Sequence, residues 1–309
     1  MPEIMNDRVK VLYIAGWGRS GSTLLDAILG QLDGFFPAGE LADIWQAGFI
    51  GNNLCGCGSP FQDCPVWKAV VQTAFGGFDG IDPLRMSRIS RYETRTIRML
   101  QFFLTYGASS SSGTRREYLD RLSQLYRAVA AAAGSRVIAD SSKTPSYAAL
   151  LGLVPEIDLY IVHLIRDPKA VAHSWSIRKP KPGDYMRTMN AVKSSVLWNI
   201  WNGGSAFLGR RHPERYLRIR YEDFVLAPKD TIRRILALVH EDVHSLPFPS
   251  DHSVRLIPTH TMKGNPSRFV TGEVEILPDE RWKKGMHPLN KILVDLVTWP
   301  WLGEYGYRL

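Results

Sequence analysis

The chain has 309 residues, 45% of them hydrophobic, with 38 lysines and arginines against 30 aspartates and glutamates. That composition excludes a disordered chain and suffices for one large α/β domain or two small ones. The formal charge of +8 suits an anionic ligand, but no long Lys/Arg run interleaved with aromatics marks a nucleic-acid groove, and none is expected.

After a polar start, Lys10 to Ala15 reads as a buried strand, Gly16 to Thr23 as a glycine-rich loop, and Leu24 to Leu29 as the start of an apolar-periodic helix. Ile81 to Ala133 carries helical periodicity rich in arginine and aromatic residues and is read as a helical insertion, with a flexible joint at Gly107 to Gly113. Arg136 to Asp140, Leu159 to Ile165 and Tyr216 to Arg220 are further strands, each followed by a helix-compatible segment. A loop at Lys179 to Gly183 precedes a long helix expected over about Asp184 to Leu208. Strands alternating with helices predict a parallel sheet covered on both faces. No repeat or interdomain linker is visible, so residues 1–309 are read as one domain. The apolar runs are strand-length, well short of the ~20 residues that span a bilayer. No integral membrane segment is expected, and with no cleavage-type leader a cytoplasmic location is the default.

Gly16, Gly18 and Gly21 permit close backbone approach, and the helix beginning near Ser22 aims free N–H groups at the loop, which suits a bound anion. The glycine spacing matches a nucleoside-triphosphate loop, but Ser22 stands where that motif needs its lysine. A tight turn without ligand is the alternative reading of this stretch.

Arg19-Ser20-Gly21-Ser22-Thr23 resembles the 5′-phosphosulfate loop of the sulfotransferases that use 3′-phosphoadenosine-5′-phosphosulfate (PAPS). Other segments follow in that family's order. Arg166-Asp-Pro-Lys-Ala-Val-Ala-His-Ser174 resembles its 3′-phosphate segment, in which an arginine ends a strand and a serine lies on the next helix. There Arg166 can fork two N–H donors onto phosphate oxygens, although Asp167 can equally cap the helix that Pro168 begins. Tyr221-Glu-Asp-Phe224 resembles the segment whose tyrosine contacts adenine; a core aromatic is the other reading of Tyr221. Lys263-Gly264-Asn265-Pro-Ser-Arg268 resembles the C-terminal cofactor loop, and the resemblance implies Gly264, Asn265 and Arg268 at the 3′-phosphate. The resemblance implies a P-loop-like three-layer α/β fold, with a central parallel sheet flanked by helices and the 81–133 insertion on the acceptor side. It also implies PAPS as donor and adenosine 3′,5′-bisphosphate as product. Family members often stack adenine on a tryptophan after the 5′ loop; Leu24 stands there, so the stacking partner is unassigned.

Sulfuryl transfer needs a base for the acceptor proton and cations for charge on the leaving oxygen. Ser141-Ser-Lys143-Thr-Pro145 is similar to the Lys-Thr-Pro segment of carbohydrate sulfotransferases and lacks the histidine many relatives carry, so Lys143 is assigned to the leaving oxygen. Glu40, after the first helix as in protein-tyrosine and some bacterial sulfotransferases, is assigned as base, its pKa raised by burial; helix capping or a surface ion pair is the plain alternative. His173 and His260 are the other candidate bases. The scheme requires no metal.

Cys55, Cys57 and Cys64 are the chain's three cysteines. A zinc site normally has four ligands and no histidine lies in this segment, so a metal-free loop or local redox crosslink is favoured. The acceptor, a small-molecule alcohol such as a natural product, phenol, lipid or sugar, is placed at the insertion and at Lys179 to Met189. Trp175, Tyr185, Trp198 and Trp201 are candidate liners, the last two more readily core. A nucleotide-dependent kinase is the rival enzyme, and a non-catalytic nucleotide sensor the rival of another class. Oligomeric state is not readable.

Overall fold

The structure, a computed structural model, describes residues 8–96, 99, 113–181 and 184–308. Strand β1 (Val9–Ala15) sets its layering. Val11, Tyr13 and Ala15 enter one buried cluster while Leu12 and Ile14 enter another. That period-two alternation belongs to a central strand covered on both faces. β2 (Phe35–Gly39), β3 (Val137–Lys143), β4 (Ile157–Ile165) and β7 (Tyr216–Arg220) complete a five-stranded sheet of order β2-β3-β1-β4-β7. All its pairings are parallel, with Leu12 opposite Ala139 on one side and Tyr160 on the other. Two small antiparallel hairpins stand apart: β5 (Pro180–Lys181) with β6 (Asp184–Tyr185), and β8 (Ser253–Leu256) with β9 (Gly272–Glu275).

One face of the sheet is covered by α1 (Ser22–Leu29) and α9 (Pro228–Leu238), through Leu25, Ile28, Ile232 and Ile235. The other is covered by α2 (Pro65–Phe75), α4 (Gly113–Ala133) and α5 (Pro145–Leu151), with Trp67, Tyr118, Leu122 and Tyr126 fully buried. Proline occupies the first turn of α2, α5 and α9, where its missing N–H costs no hydrogen bond. α6 (Pro168–Ser176) begins the same way and is capped by Asp167, which accepts from the Lys169 N–H at 2.7 Å.

The four strands expected from sequence all form. β2 was not anticipated, because Phe-Phe-Pro-Ala-Gly has little strand character. It is an edge strand, the position a sheet leaves for proline. The long helix α7 spans Ala191–Arg211 instead of beginning near residue 184, because Asn190 caps it by accepting from the Lys193 N–H at 2.8 Å. Within the expected insertion, α3 (Pro83–Glu93) and α4 are helical. The joint assigned to 107–113 lies outside the described residues, except that Gly113 opens α4.

Candidate active site

Parallel topology gathers the carboxyl ends of all five strands at one edge, and a crevice opens there where the connections from neighbouring strands leave toward opposite sides of the sheet. Each strand delivers one of the residues singled out above. β1 leads into the glycine loop, β2 into Glu40, β4 into Arg166 and β7 into Tyr221, while β3 ends on Lys143.

The loop is tightly constrained. Gly16 has φ +123°, and a Cβ there would sit 2.3 Å from the Leu164 carbonyl oxygen. Gly21, at φ +92°, is the residue before α1, and its Cβ would meet the Tyr221 ring at 2.7 Å. Left-handed backbone and close approach together require glycine at both positions. Arg19 also has positive φ, 74°. Its guanidinium lies 4.7 Å from the Trp175 ring centroid, and its Nε and Nη2 are buried without a hydrogen-bond partner. Ser20 is held inward, donating from Oγ to the Trp17 carbonyl at 2.7 Å. Ser22 is buried at the first turn of α1, and Thr23 Oγ1 accepts from the Asn265 N–H at 3.4 Å.

Arg166 lies beside this loop. It donates from Nη1 to the Arg19 carbonyl at 3.1 Å and from Nη2 to the Asp279 carbonyl at 3.0 Å, and it pairs with the Asp279 carboxylate at 3.1 Å. Its guanidinium stacks 4.3 Å from the Tyr221 ring centroid, while its Nε is buried and unpartnered. With His173, Ser174, Asp279, Arg281 and Trp282 it lines a small cleft. Ser174 Oγ accepts from Lys179 Nζ at 3.1 Å. Burial, and then the like charges of Arg19 and Arg281, push the Lys179 pKa down. Asp279 is held well below the usual carboxylate range by its hydrogen bonds to Arg281 and by Arg166. Arg166, Lys179 and Arg281 thus gather around the Asp279 carboxylate, an arrangement short of negative charge.

Across the crevice the charges balance. Lys143, in a left-handed conformation at φ 70°, donates from Nζ to Glu40 Oε1 at 2.7 Å and to the Ser141 carbonyl at 2.6 Å. Lys263 approaches Glu40 Oε2 at 3.6 Å and also pairs with Asp43. The sequence reading expected burial to raise the Glu40 pKa. Burial does act in that direction, but the ammonium groups of Lys143 and Lys263 outweigh it, and the carboxyl lies below its ordinary value.

The structure therefore brings Arg19 to Thr23 together with Arg166, Ser174 and Tyr221, and Glu40 together with Lys143. Tyr221 is packed between Gly21 and Arg166 and is largely buried. Arg268 donates to the Gly264 carbonyl at 3.1 Å and the Leu54 carbonyl at 2.9 Å. Gly264 and Asn265 adjoin Thr23, on the 5′ side of the loop. Lys179, Lys263 and Arg281 were not chosen from sequence. Lys263 lay inside a recognised segment and Lys179 inside the loop assigned to the acceptor; Arg281 carried no local signal. His173 lines the Arg166 cleft, and His260 lies instead against Cys55 and Cys64. Trp198 is core, donating from Nε1 to the Arg166 carbonyl at 3.0 Å. Trp175 and Trp201 both pack on Trp17.

The sequence model described as "Sulfotransferase family" matches residues 81–245, more than half of the chain. The chain belongs to the sulfotransferase family. Comparison with curated protein sequences gives no match. Among solved structures, this sulfotransferase is similar in fold to the sulfotransferase domain of the Synechococcus PCC 7002 olefin synthase. That pair has TM-score 0.52 and 18% identity, with 98% of this chain and 96% of the other covered. It is also similar to the sulfotransferase domain from the curacin biosynthetic pathway, with TM-score 0.54, 17% identity, and 98% and 99% covered. The fold is the P-loop-like three-layer arrangement those domains share, and the enzyme is a transferase of sulfuryl groups. Among the described residues, no helix is long and apolar enough to cross a membrane.

Proposed function

We propose that this sulfotransferase takes its sulfuryl group from PAPS and passes it to the hydroxyl of a small-molecule acceptor, with the whole chain acting as one domain. The observation that carries the donor assignment is the set of buried guanidinium N–H groups on Arg19 and Arg166 without an acceptor among the described residues. Such donors are costly unless a ligand satisfies them. A nucleotide with anionic groups at both its 5′ and 3′ ends meets both arginines at once. An ordinary nucleoside triphosphate would also want the loop lysine that Ser22 replaces.

In this reading the N–H groups of Ser20 to Thr23 and the amino end of α1 hold the 5′-phosphosulfate, with Arg19 above it. Arg166, Ser174 and Arg281 hold the 3′-phosphate, and Gly264 and Asn265 close over the loop at Thr23. The acceptor oxygen forms the new O–S bond as the bond from sulfur to the bridging 5′-phosphate oxygen breaks, releasing adenosine 3′,5′-bisphosphate. Glu40 takes the acceptor proton, and Lys143 neutralises the charge left on the departing oxygen. Without donor, those two groups are paired with each other. Arrival of the phosphosulfate draws Lys143 away, which places the leaving-group cation and frees the carboxylate in a single event. The acceptor is an alcohol, phenol, lipid or sugar hydroxyl approaching beside Glu40.

Calorimetric titration with adenosine 3′,5′-bisphosphate, adenosine 5′-monophosphate and ATP tests the donor assignment. The bisphosphate is expected to bind most tightly, and Arg166→Ala to lose about 30- to 100-fold of that affinity, the scale of a charge-assisted pair. Binding indifferent to the 3′-phosphate would overturn the proposal.

A further inference from the structure

The three cysteines and His260 lie far apart in sequence but meet at one point. One ligand atom from each of Cys55, Cys57, Cys64 and His260 falls within 4.8 Å of the others. Cys57 Sγ is 3.8 Å from Cys64 Sγ, and His260 Nδ1 is 3.8 Å from Cys55 Sγ and 3.2 Å from Cys64 Sγ. A tetrahedral zinc with Zn–S near 2.3 Å and Zn–N near 2.0 Å separates its sulfurs by about 3.8 Å and sulfur from nitrogen by about 3.6 Å. A disulfide instead needs sulfurs about 2.05 Å apart, and it would leave the third cysteine and the histidine unused.

The backbone is shaped to this meeting. The Cys55 N–H donates to the Ser59 carbonyl at 2.8 Å and the Gly58 N–H returns to the Cys55 carbonyl at 2.9 Å, with Gly58 at φ +90°. This tight turn lets Cys55 and Cys57 face the same point. Cys64 immediately precedes α2, and its carbonyl accepts from the Lys68 N–H at 2.9 Å, which fixes its place at the start of the helix. The Gly56 N–H donates to the Thr261 carbonyl at 2.9 Å, and a Cβ on Gly56 would stand 2.6 Å from the Thr259 carbonyl oxygen, so the two segments cross backbone to backbone. Trp67 Nε1 donates to the His260 carbonyl at 2.9 Å and fixes that residue's place.

We propose that Cys55, Cys57, Cys64 and His260 Nδ1 bind a structural zinc ion that pins the segment after His260 to the cysteine loop. Three thiolates and one imidazole complete a four-coordinate shell of the softness zinc prefers, leaving no open position for chemistry. The sequence had favoured a metal-free loop because no histidine lies near the cysteines; the fold supplies one from almost 200 residues away. The pinned segment runs directly into the active site. Met262 N–H donates to the Ala38 carbonyl at 3.0 Å, Glu40 N–H donates to the Lys263 carbonyl at 3.1 Å, and Arg268 reaches back to Leu54 beside the first ligand. The ion thereby holds Lys263 and Gly264 against Glu40 and Thr23.

The test is elemental analysis of the full chain purified under reducing conditions without chelator, followed by exchange into cobalt. One zinc per chain is expected, together with the thiolate charge-transfer and tetrahedral d–d absorption of bound cobalt. Cys64→Ser should lose the metal, and His260→Cys should keep it with the cobalt spectrum of four thiolates. The second variant decides the matter even if the first fails to fold. A chain that holds no metal and gives no tetrahedral cobalt spectrum overturns the proposal. So does iron in place of zinc, or a chain two hydrogens lighter through a Cys57–Cys64 disulfide.

Discussion

The two ends of the donor crevice are both basic, yet they are built differently. At the end proposed for the 3′-phosphate the cations are mostly arginines, Arg166 and Arg281 with Lys179, set around Asp279, and Arg166 is partly without an acceptor. At the transfer end they are lysines, Lys143 and Lys263, balanced by Glu40 and Asp43. A guanidinium is a rigid, permanently charged fork suited to holding a phosphate, whereas an ammonium is a compact charge on a flexible stem. In the proposed scheme the difference separates holding the donor from reacting with it. The binding end has guanidinium N–H groups without an acceptor among the described residues, and the lysines of the transfer end are paired with carboxylates.

If that division holds, Glu40→Gln produces the largest effect on turnover and almost none on binding. Loss of a general base typically costs 10²- to 10⁴-fold, so kcat is expected to fall by about 10³ while affinity for adenosine 3′,5′-bisphosphate stays within about threefold. The replacement keeps shape and hydrogen-bonding capacity, so Lys143 remains in place. Steady-state kinetics paired with calorimetry on the same preparation reads both quantities. Near-normal turnover would remove Glu40 from the role of base and erase the contrast between the two ends.

At the binding end, two neighbouring substitutions are expected to move affinity in opposite directions. Arg281 is bidentate to Asp279, at 2.7 and 2.8 Å, and its side chain is 69% exposed. Solvent screens it, so Arg281→Ala should weaken bisphosphate binding only about 3- to 10-fold. Asp279→Asn removes the carboxylate competing for Arg166, while backbone carbonyls of Arg19 and Asp279 still orient that arginine. Affinity should tighten by a similar factor. If both variants weaken binding alike, Asp279 is part of the ligand site and not its stand-in counter-ion.

The same contrast decides what sequence could reveal. The strand, turn and helix that carry the glycine loop, Arg166 and Ser174 were legible because each set lies within one short stretch, and local geometry does the positioning. Lys143 and Glu40 were assigned through resemblance, and the structure adds that they are paired with each other. The sign of the Glu40 shift was not legible, since it depends on Lys263, more than 200 residues downstream. Arg281 was missed because an isolated basic residue carries no pattern, and Lys179 because its loop was read as an acceptor segment. β2 was missed because Pro37 and Gly39 dilute its strand character, although its edge position tolerates both. The meeting of the cysteine loop with His260 was not legible for the same reason as the Glu40 shift, since His260 arrives from a distant segment.

The smallest expected effect tests whether the transfer end is as neutral as the ion pairs indicate. Asp26, on α1 beneath the crevice, has one oxygen accepting from Thr261 Oγ1 at 3.4 Å and the other buried without a partner. Burial, assisted by the Asp140 charge, pushes its pKa from 3.8 up to about 8, so at neutral pH it is mostly protonated and adds little negative charge. Between those two values the folded chain keeps a proton that the unfolded chain has released, and stability must fall as pH rises across that window. Below it both states are protonated and the contribution is level. Asp26→Asn removes the titration: its stability relative to wild type should improve steadily from pH 4 to pH 8, with turnover changed by less than about threefold at neutral pH. Denaturant unfolding at a series of pH values reads the slope. A relative stability that stays level over that range would mean that Asp26 is ionised in the fold as it is in the unfolded chain, and the transfer end would then carry an additional negative charge beside the donor.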